Sequence, residues 1–297
     1  MTVSVCTLAF GRGNHLTNLV RGLLEQDCAP DELVIAVMQQ TAYELPETPF
    51  PVRQVLLEDH GIPLAAARNR AATEARGELL VFLDVDCIPA PGLIADYLRV
   101  AETHDGVFMG EVAYLPKDAT EQGIDFALFD RLGVKHSERA GAPEAEIMAC
   151  RDYRCFWSLN FAMSAQSFER VGGFDEQYCG YGGEDTDFGR MVVTSDLPLW
   201  WVRGAKAYHQ YHPHHMPPVH HLDSVLANAH RFLDKWGEPT MQHWLRAFVL
   251  MGLIERRGDR WVKLRDPGER ELAMTRQQAD QPYASSASVL AELEAGA

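Results

Sequence analysis

The stretch from Glu78 to Pro91, ELLVFLDVDCIPAP, constrains the fold more than any other part of the chain. Leu79, Leu80, Val81, Phe82 and Leu83 run without a break into Asp84-Val85-Asp86. A short unbroken apolar run predicts a strand buried on both faces, as in the middle of a parallel sheet. Proline cannot continue a central strand, so Pro89 and Pro91 send the chain out of the sheet. Two acids therefore stand at the carboxyl edge of a buried strand, where open α/β sheets bind ligands. Alternation puts Asp84 and Asp86 on one side and Val85 on the other. Two carboxylates this close repel unless a cation or hydrogen-bond donors compensate them. Taken alone, the triplet reads equally well as a metal and nucleotide site or as a solvated acidic turn.

The surrounding pattern is that of an α/β sheet with crossover helices. Strands are expected at Val3 to Leu8, Leu33 to Val37 and Val52 to Leu57, with a helix from His15 to Gln26 between the first two. Gly61-Ile62-Pro63 opens an alanine-rich helix, Leu64 to Arg76, which Gly77 is expected to cap. A helix follows over Pro91 to Ala101 and a strand over Val107 to Leu115. The polar segment from Asp118 to Ala149 reads as an insertion, helical or mobile. Buried sequence resumes at Phe156 to Ala165, with Asn160 as its one strongly polar side chain, and a strand pair is expected over Leu197 to Ala207. Helical spacing recurs at Asp223 to Trp236 and Thr240 to Leu253, with a small hairpin turning at Gly258-Asp259.

Composition narrows the partners. The net charge of −15 disfavours nucleic acid and anionic membranes. Six scattered cysteines form no CxxC pair and read as reduced thiols; nothing supports a disulfide between Cys150 and Cys155. No basic n-region precedes the first strand, and the run Ala247 to Ile254 is too short to span a bilayer, so a cytoplasmic protein is expected. Between Tyr208 and His230 the histidines crowd, at His209, His212, His214, His215, His220, His221 and His230. No HExxH spacing accompanies them, and most are expected to be solvated. Glu184 and Asp185 follow Gly182-Gly183 at a predicted helix start; acids there suit the helix dipole, while paired glycines let backbone approach a ligand.

Five motifs come in order: Ala67-Arg68-Asn69, FLDVD from Phe82 to Asp86, GGFDE from Gly172 to Glu176, GYGGEDTDFGRM from Gly180 to Met191, and AYHQ from Ala207 to Gln210. The ordered set resembles a family 2 glycosyltransferase of the GT-A fold. Its second half is similar to chondroitin polymerase modules and to β-1,4-galactosyltransferases. The resemblance implies a single Rossmann-like mixed sheet flanked by helices over residues 1–212, the nucleotide-diphospho-sugar transferase architecture. A mostly helical extension then covers 213–297.

The resemblance also assigns roles. Asp86 and His209 would hold Mn2+ (or Mg2+), with His212 as the substitute for His209. Thr7, Leu8, Ala9, Arg12, Arg68, Asn69, Asp84, Val85 and Asp86 would bind the nucleotide-sugar donor. Asp185 would be the catalytic base of an inverting transfer. Glu184, Gly183, Trp157 and Asn160 would hold a carbohydrate or small-molecule acceptor, although Trp157 reads equally well as core. Family members often end the second strand with an aspartate pair that reads uracil. Here Val37-Met38-Gln39-Gln40 stands instead, which leaves a uridine donor first and a guanosine donor second. The alternatives are a retaining GT-A transferase using a GDP-sugar, a non-catalytic nucleotide-sugar-binding protein, and a zinc hydrolase built on the histidines.

Overall fold

The apolar runs Val3–Ala9, Glu32–Val37 and Leu79–Leu83 become strands buried along their whole length. The computed structural model describes residues 1–57 and 62–295, so the expected helix opening at Gly61 lies outside the described residues. Elements are numbered in chain order. The central sheet has eight strands, ordered β3 (Val52–Leu56), β2 (Glu32–Val37), β1 (Val3–Ala9), β4 (Leu79–Leu83), β10 (Asn160–Ser164), β6 (Val107–Met109), β11 (Leu199–Val202) and β9 (Ile147–Cys150). The first four are parallel to one another, and β10 enters antiparallel between β4 and β6. A second sheet of four short strands runs β5 (Cys87–Pro89), β12 (Ala207–His209), β7 (Val112–Tyr114) and β8 (Val134–Lys135), an addition to the single sheet expected. A hairpin of β13 (Ile254–Arg257) and β14 (Arg260–Lys263) turns at Gly258-Asp259 as expected.

Side-chain alternation splits the core in two. Val3, Val5, Leu79, Val81 and Leu83 face α1 (Gly13–Leu24) and α3 (Leu93–Ala101). Cys6, Leu8, Leu80 and Phe82 face α2 (Leu64–Glu74), α5 (Ala165–Val171) and α6 (Glu184–Thr194). This second layer is aromatic. Phe82 stacks on Phe161 with ring centroids 4.5 Å apart, and Phe174 on Phe188 at 4.1 Å. Each buried Phe contributes about 2 kcal/mol, so this stack fixes α6, and its first residues, against the sheet.

The polar segment is not a bare insertion. It holds α4 (Phe126–Leu132), β8 and β9, and adds strands to both sheets. The remaining helices, α7 (Leu222–Trp236), α8 (Gln242–Leu250), α9 (Glu269–Thr275) and α10 (Ser286–Ala295), build a further core with the hairpin, around Val225, Leu245, Phe248 and Ile254. That part is tied to α6 through Asp187, which is fully buried. Its carboxylate accepts from Tyr178 Oη at 3.1 Å, Trp236 Nε1 at 2.7 Å and Lys235 Nζ at 2.8 Å.

Two glycines act differently from expectation. Gly77 does not cap α2, whose C-cap is the extended Ala75; it lets the chain pass close against Ser4 in β1. The strand expected from Val107 to Leu115 breaks at Gly110 and crosses to the second sheet, at a point that only glycine fits, since a Cβ there would collide with the Ala205 carbonyl and the Tyr97 hydroxyl. Gly110→Ala is therefore expected to cost about 2 kcal/mol or more. Gly13→Ala, whose Cβ would meet only the Tyr43 ring at 3.6 Å, should stay within about 0.5 kcal/mol. Thermal denaturation of both variants checks this; equal melting temperatures would refute the crowding argument.

Candidate active site

Strand register assembles the site. Asp84 leaves the carboxyl end of β4, and its N–H is held by the Leu159 carbonyl at 3.0 Å. Three residues on, β5 pairs with β12 so that Cys87 faces His209, and the Gln210 N–H donates to the Asp86 carbonyl at 2.7 Å. His209 is thereby placed beside Asp86. The loop after β12 returns His212 to the same spot. His209 Nε2 lies 3.4 Å from Asp86 Oδ1 and His212 Nε2 lies 3.2 Å from Asp86 Oδ2. The expected ligand and its substitute are both present.

These residues fit a divalent ion. One atom each from Asp86, His209 and His212 lies within 4.8 Å of the other two. Asp86 is 4 % exposed, yet its Oδ1 is buried with no hydrogen-bond partner among the described residues. Such an orphaned anionic oxygen is costly unless something else takes its lone pairs. Burial works against the Asp86 charge, but His209, His212 and Arg12 together hold its carboxyl well below the usual range. Burial brings His209 down to about 4, so its imidazole is neutral and able to ligate. Arg12, on left-handed backbone at φ 43°, puts its guanidinium on Asp86 Oδ2, with Nη2 3.3 Å from His212 Nδ1.

The second acid pair meets the first through Arg68. This side chain is 3 % exposed; its Nη2 bonds Asp84 Oδ1 at 3.0 Å and its Nη1 lies 3.6 Å from Glu184 Oε1. Burial raises Asp84 to about 6, against the pull of Arg68. Burial and then Asp185 raise Glu184 to about 7, with Arg68 opposing. Asp185, at the first turn of α6, is partly exposed. Its two oxygens accept from the Ser158 hydroxyl at 2.7 Å and the Ser158 N–H at 3.2 Å. Gly183 precedes α6 at φ 92°, and its turn is held from behind by Asn228, whose Nδ2 bonds the Gly182 carbonyl at 2.7 Å.

Several sequence expectations shift. Asn160 is committed to the core: Tyr97 Oη donates to its Oδ1 at 2.8 Å, and its Nδ2 serves the Ala205 and Glu111 carbonyls at 2.7 and 3.0 Å. An amide so satisfied has nothing left for an acceptor sugar. Asn69 likewise clamps the GGFDE turn, bonding the Phe174 N–H and carbonyl, both at 2.8 Å, and Glu176. Arg68 supports the acids from inside and is not an open donor contact. The side chains of Leu8, Ala9 and Val85 belong to the cores, which leaves only their backbone at the edge. Thr7 is buried, with no hydrogen-bond partner for its Oγ1 among the described residues. Trp157 is half-buried against the Arg139 guanidinium, 5.0 Å from its ring centroid. Gln39 is spent on its own loop and the one after β1, accepting from the Gly11 N–H at 3.2 Å and Tyr43 Oη at 3.0 Å and donating to the Thr41 carbonyl at 2.8 Å.

The histidine run is packed more than expected; only His220 of it is exposed. Cys150 and Cys155 are both free. Ser158 and Tyr114, whose ring stacks on His209 at 4.7 Å, were not singled out by sequence. Ser158 stands between Trp157 and Asn160 in a stretch already marked, but nothing local announces its bond to Asp185. No helix among the described residues is long and apolar enough to cross a membrane.

Comparison with known proteins places these features. Residues 4–127 match the family model for glycosyl transferase family 2, and residues 144–215 match the one for the N-terminal domain of galactosyltransferase. Validoxylamine A glucosyltransferase of Streptomyces hygroscopicus subsp. limoneus is 25% identical over 262 residues, covering 78% of this chain and 56% of that protein. Chondroitin synthase of Pasteurella multocida (strain Pm70) is 24% identical over 222 residues, covering 67% of this chain and 22% of that protein. The chain spans about half the length of the curated relatives it matches first, 56% and 47%. Among solved structures, GalNAc-T7 with UDP, GalNAc and Mn2+ superposes with a TM-score of 0.58 at 14% identity, over 84% of this chain and 51% of that one. Staphylococcus aureus TarS 1–349 in complex with UDP gives 0.53 at 16% identity, over 85% and 72%. These show the fold: a large mixed sheet flanked by helices, of the GT-A kind.

A carboxyl with a folded pKa of about 7 against an ordinary 4.5 binds its proton more tightly folded than unfolded. The stability Glu184 contributes is therefore complete below its unfolded value and is lost as pH climbs through the folded one. Glu184→Gln, neutral at every pH, is expected to raise the melting temperature at pH 8 and to change it far less at pH 5. Scanning calorimetry at the two pH values checks this; the same shift at both would contradict the burial argument.

Proposed function

We propose, for a chain that belongs among the family 2 glycosyltransferases of the GT-A fold, that it transfers a sugar with inversion from a UDP-sugar to a hydroxyl of a carbohydrate or small-molecule acceptor, in the presence of a divalent ion. The observation that carries this reading is the meeting of two sets at one sheet edge. One is Asp86 with His209 and His212; the other is Glu184 with Asp185; Arg68 joins them through Asp84.

Asp86, His209 and His212 would hold the ion. Two imidazoles and one carboxylate form a softer set than magnesium prefers, which puts manganese first, as does the Mn2+ of the GalNAc-T7 structure. When bound, the ion supplies positive charge to the departing nucleoside diphosphate. Arg12, exposed beside Asp86, adds a second cation at this end. Asp84 serves the ribose or sugar of the donor, held in place by Arg68. Uridine is favoured by the UDP of the two solved structures, with the Gly11-to-Tyr43 edge as the place for the base.

Asp185 takes the proton of the acceptor hydroxyl as that oxygen attacks the anomeric carbon opposite the diphosphate. Ser158 fixes its carboxylate with two hydrogen bonds, so little reorientation is required at reaction. Glu184, titrating near neutrality, can both accept from and donate to acceptor hydroxyls. In this reading residues 1–212 carry transfer and 213–297 brace α6 and shape the acceptor side. Free cysteines suit a reducing compartment such as the cytoplasm.

Asp185→Asn is expected to lower kcat by about 100-fold or more while UDP affinity is kept; near-parental turnover would overturn the base assignment. Asp86→Ala is expected to abolish manganese-dependent binding of UDP in calorimetric titration. Unchanged affinity with and without manganese would remove the ion from the mechanism.

A further inference from the structure

Beside the cleft, β7, β8 with the turn after it and the end of β11 line a cavity of about 170 Å³. Three bases line it, Lys135, Arg139 and Lys206, against one acid, Glu111. In a chain of net charge −15 this is a reversed local balance. Lys206 is paired with Asp130, and Glu111 accepts the Gly204 N–H at 2.8 Å. Arg139 enters no ion pair among the described residues, and its Nη1 is buried without a hydrogen-bond partner. The side chain is 7 % exposed as a residue and lies over two indoles, 5.0 Å from the Trp157 centroid and 4.8 Å from that of Trp201. Indoles cover the faces of a guanidinium and leave its in-plane N–H groups as donors. A buried cation with no counter-charge is costly, and burial pushes the Arg139 pKa down, with Tyr114 and Asp185 opposing only in part.

The cavity adjoins the proposed chemistry. Trp157 directly precedes Ser158, which holds Asp185. Arg139, which lines it, is close enough to Asp185 to feel its charge. The volume is several times the roughly 30 Å³ share of one water, enough for an oxyanion and part of the ring that bears it.

We propose that this cavity is an oxyanion subsite, in which Arg139 and Lys135 receive a carboxylate or phosphate carried by a sugar substrate of the adjoining cleft. The proposal rests on reading that cleft as a sugar-transfer site. A carboxylate matches the guanidinium fork with two parallel hydrogen bonds, and Lys135 adds a point charge. The charged sugar can be the donor's or the acceptor's, and titration separates the two.

Calorimetry of the full chain with manganese compares UDP-glucuronate with UDP-glucose for the donor. With UDP present, methyl glucuronide and glucose 6-phosphate are compared with methyl glucoside for the acceptor. In one of the two arms the charged probe is expected to bind about tenfold or more tightly than its neutral counterpart. Arg139→Gln should erase that preference and keep the affinity for UDP itself. Lys135→Gln, at an exposed side chain, should weaken the preference without touching the indole pair, which keeps the test sound if Arg139→Gln folds poorly. Equal binding of charged and neutral probes in both arms overturns the subsite, as does a preference that survives both substitutions. Failure of the unsubstituted protein to bind UDP overturns the reading of the cleft instead.

Discussion

The site depends on one buried cation. Arg68 stands on α2 behind the sheet edge, almost without exposure, with Asp84 on one side and Glu184 on the other. Without it, two carboxylates from distant parts of the chain would face each other with little water to screen them. Removing the one cation that two buried acids share typically costs about 3–5 kcal/mol. The guanidinium also lies over the Phe174 ring, 5.4 Å from its centroid, so the aromatic layer that seats α6 seats Arg68 too. Packing and electrostatics thus converge on the same few side chains. The pKa values follow: Asp84 and Glu184 sit at about 6 and 7 because burial outweighs the single positive charge they share.

The second constraint is register. β5 is three residues long, yet its pairing with β12 decides which side chain stands beside Asp86. A slip of one residue would put Tyr208 or Gln210 there and turn His209 away. The fixed point is the Gln210 N–H on the Asp86 carbonyl, which ties the backbone of the metal-competent acid to the strand that brings the imidazole. Asp187 does similar work farther out, binding α6 to α7 through Lys235 and Trp236.

Much of this was legible in the chain. The apolar runs marked most strands of the central sheet, β9 excepted, and the acids of FLDVD and GGED marked both halves of the candidate site, because acids at the end of an apolar strand or at a helix start stand out locally. What failed were polar residues judged by type. Asn160 and Asn69 looked available because the resemblance puts amides at the sugar and donor sites, and only their partners show them to be spent. Arg12 and Arg68 looked alike in sequence; one is exposed at a loop and the other is buried between acids. The segment from Asp118 to Ala149 gave no period, since its strands are short and lie at sheet edges. Its Arg139 could not be distinguished from any surface arginine.

The sequence by itself determined the parallel half of the central sheet and the acids at its edge, because apolar period and turn residues are local properties that survive without neighbours. The tertiary structure alone decided which histidines meet Asp86, which amides are spent, what orients Asp185 and which buried cation has no ion-pair partner among the described residues. Those depend on register and burial between residues far apart in the chain, and a side chain's chemistry is set by its partners as much as by its type.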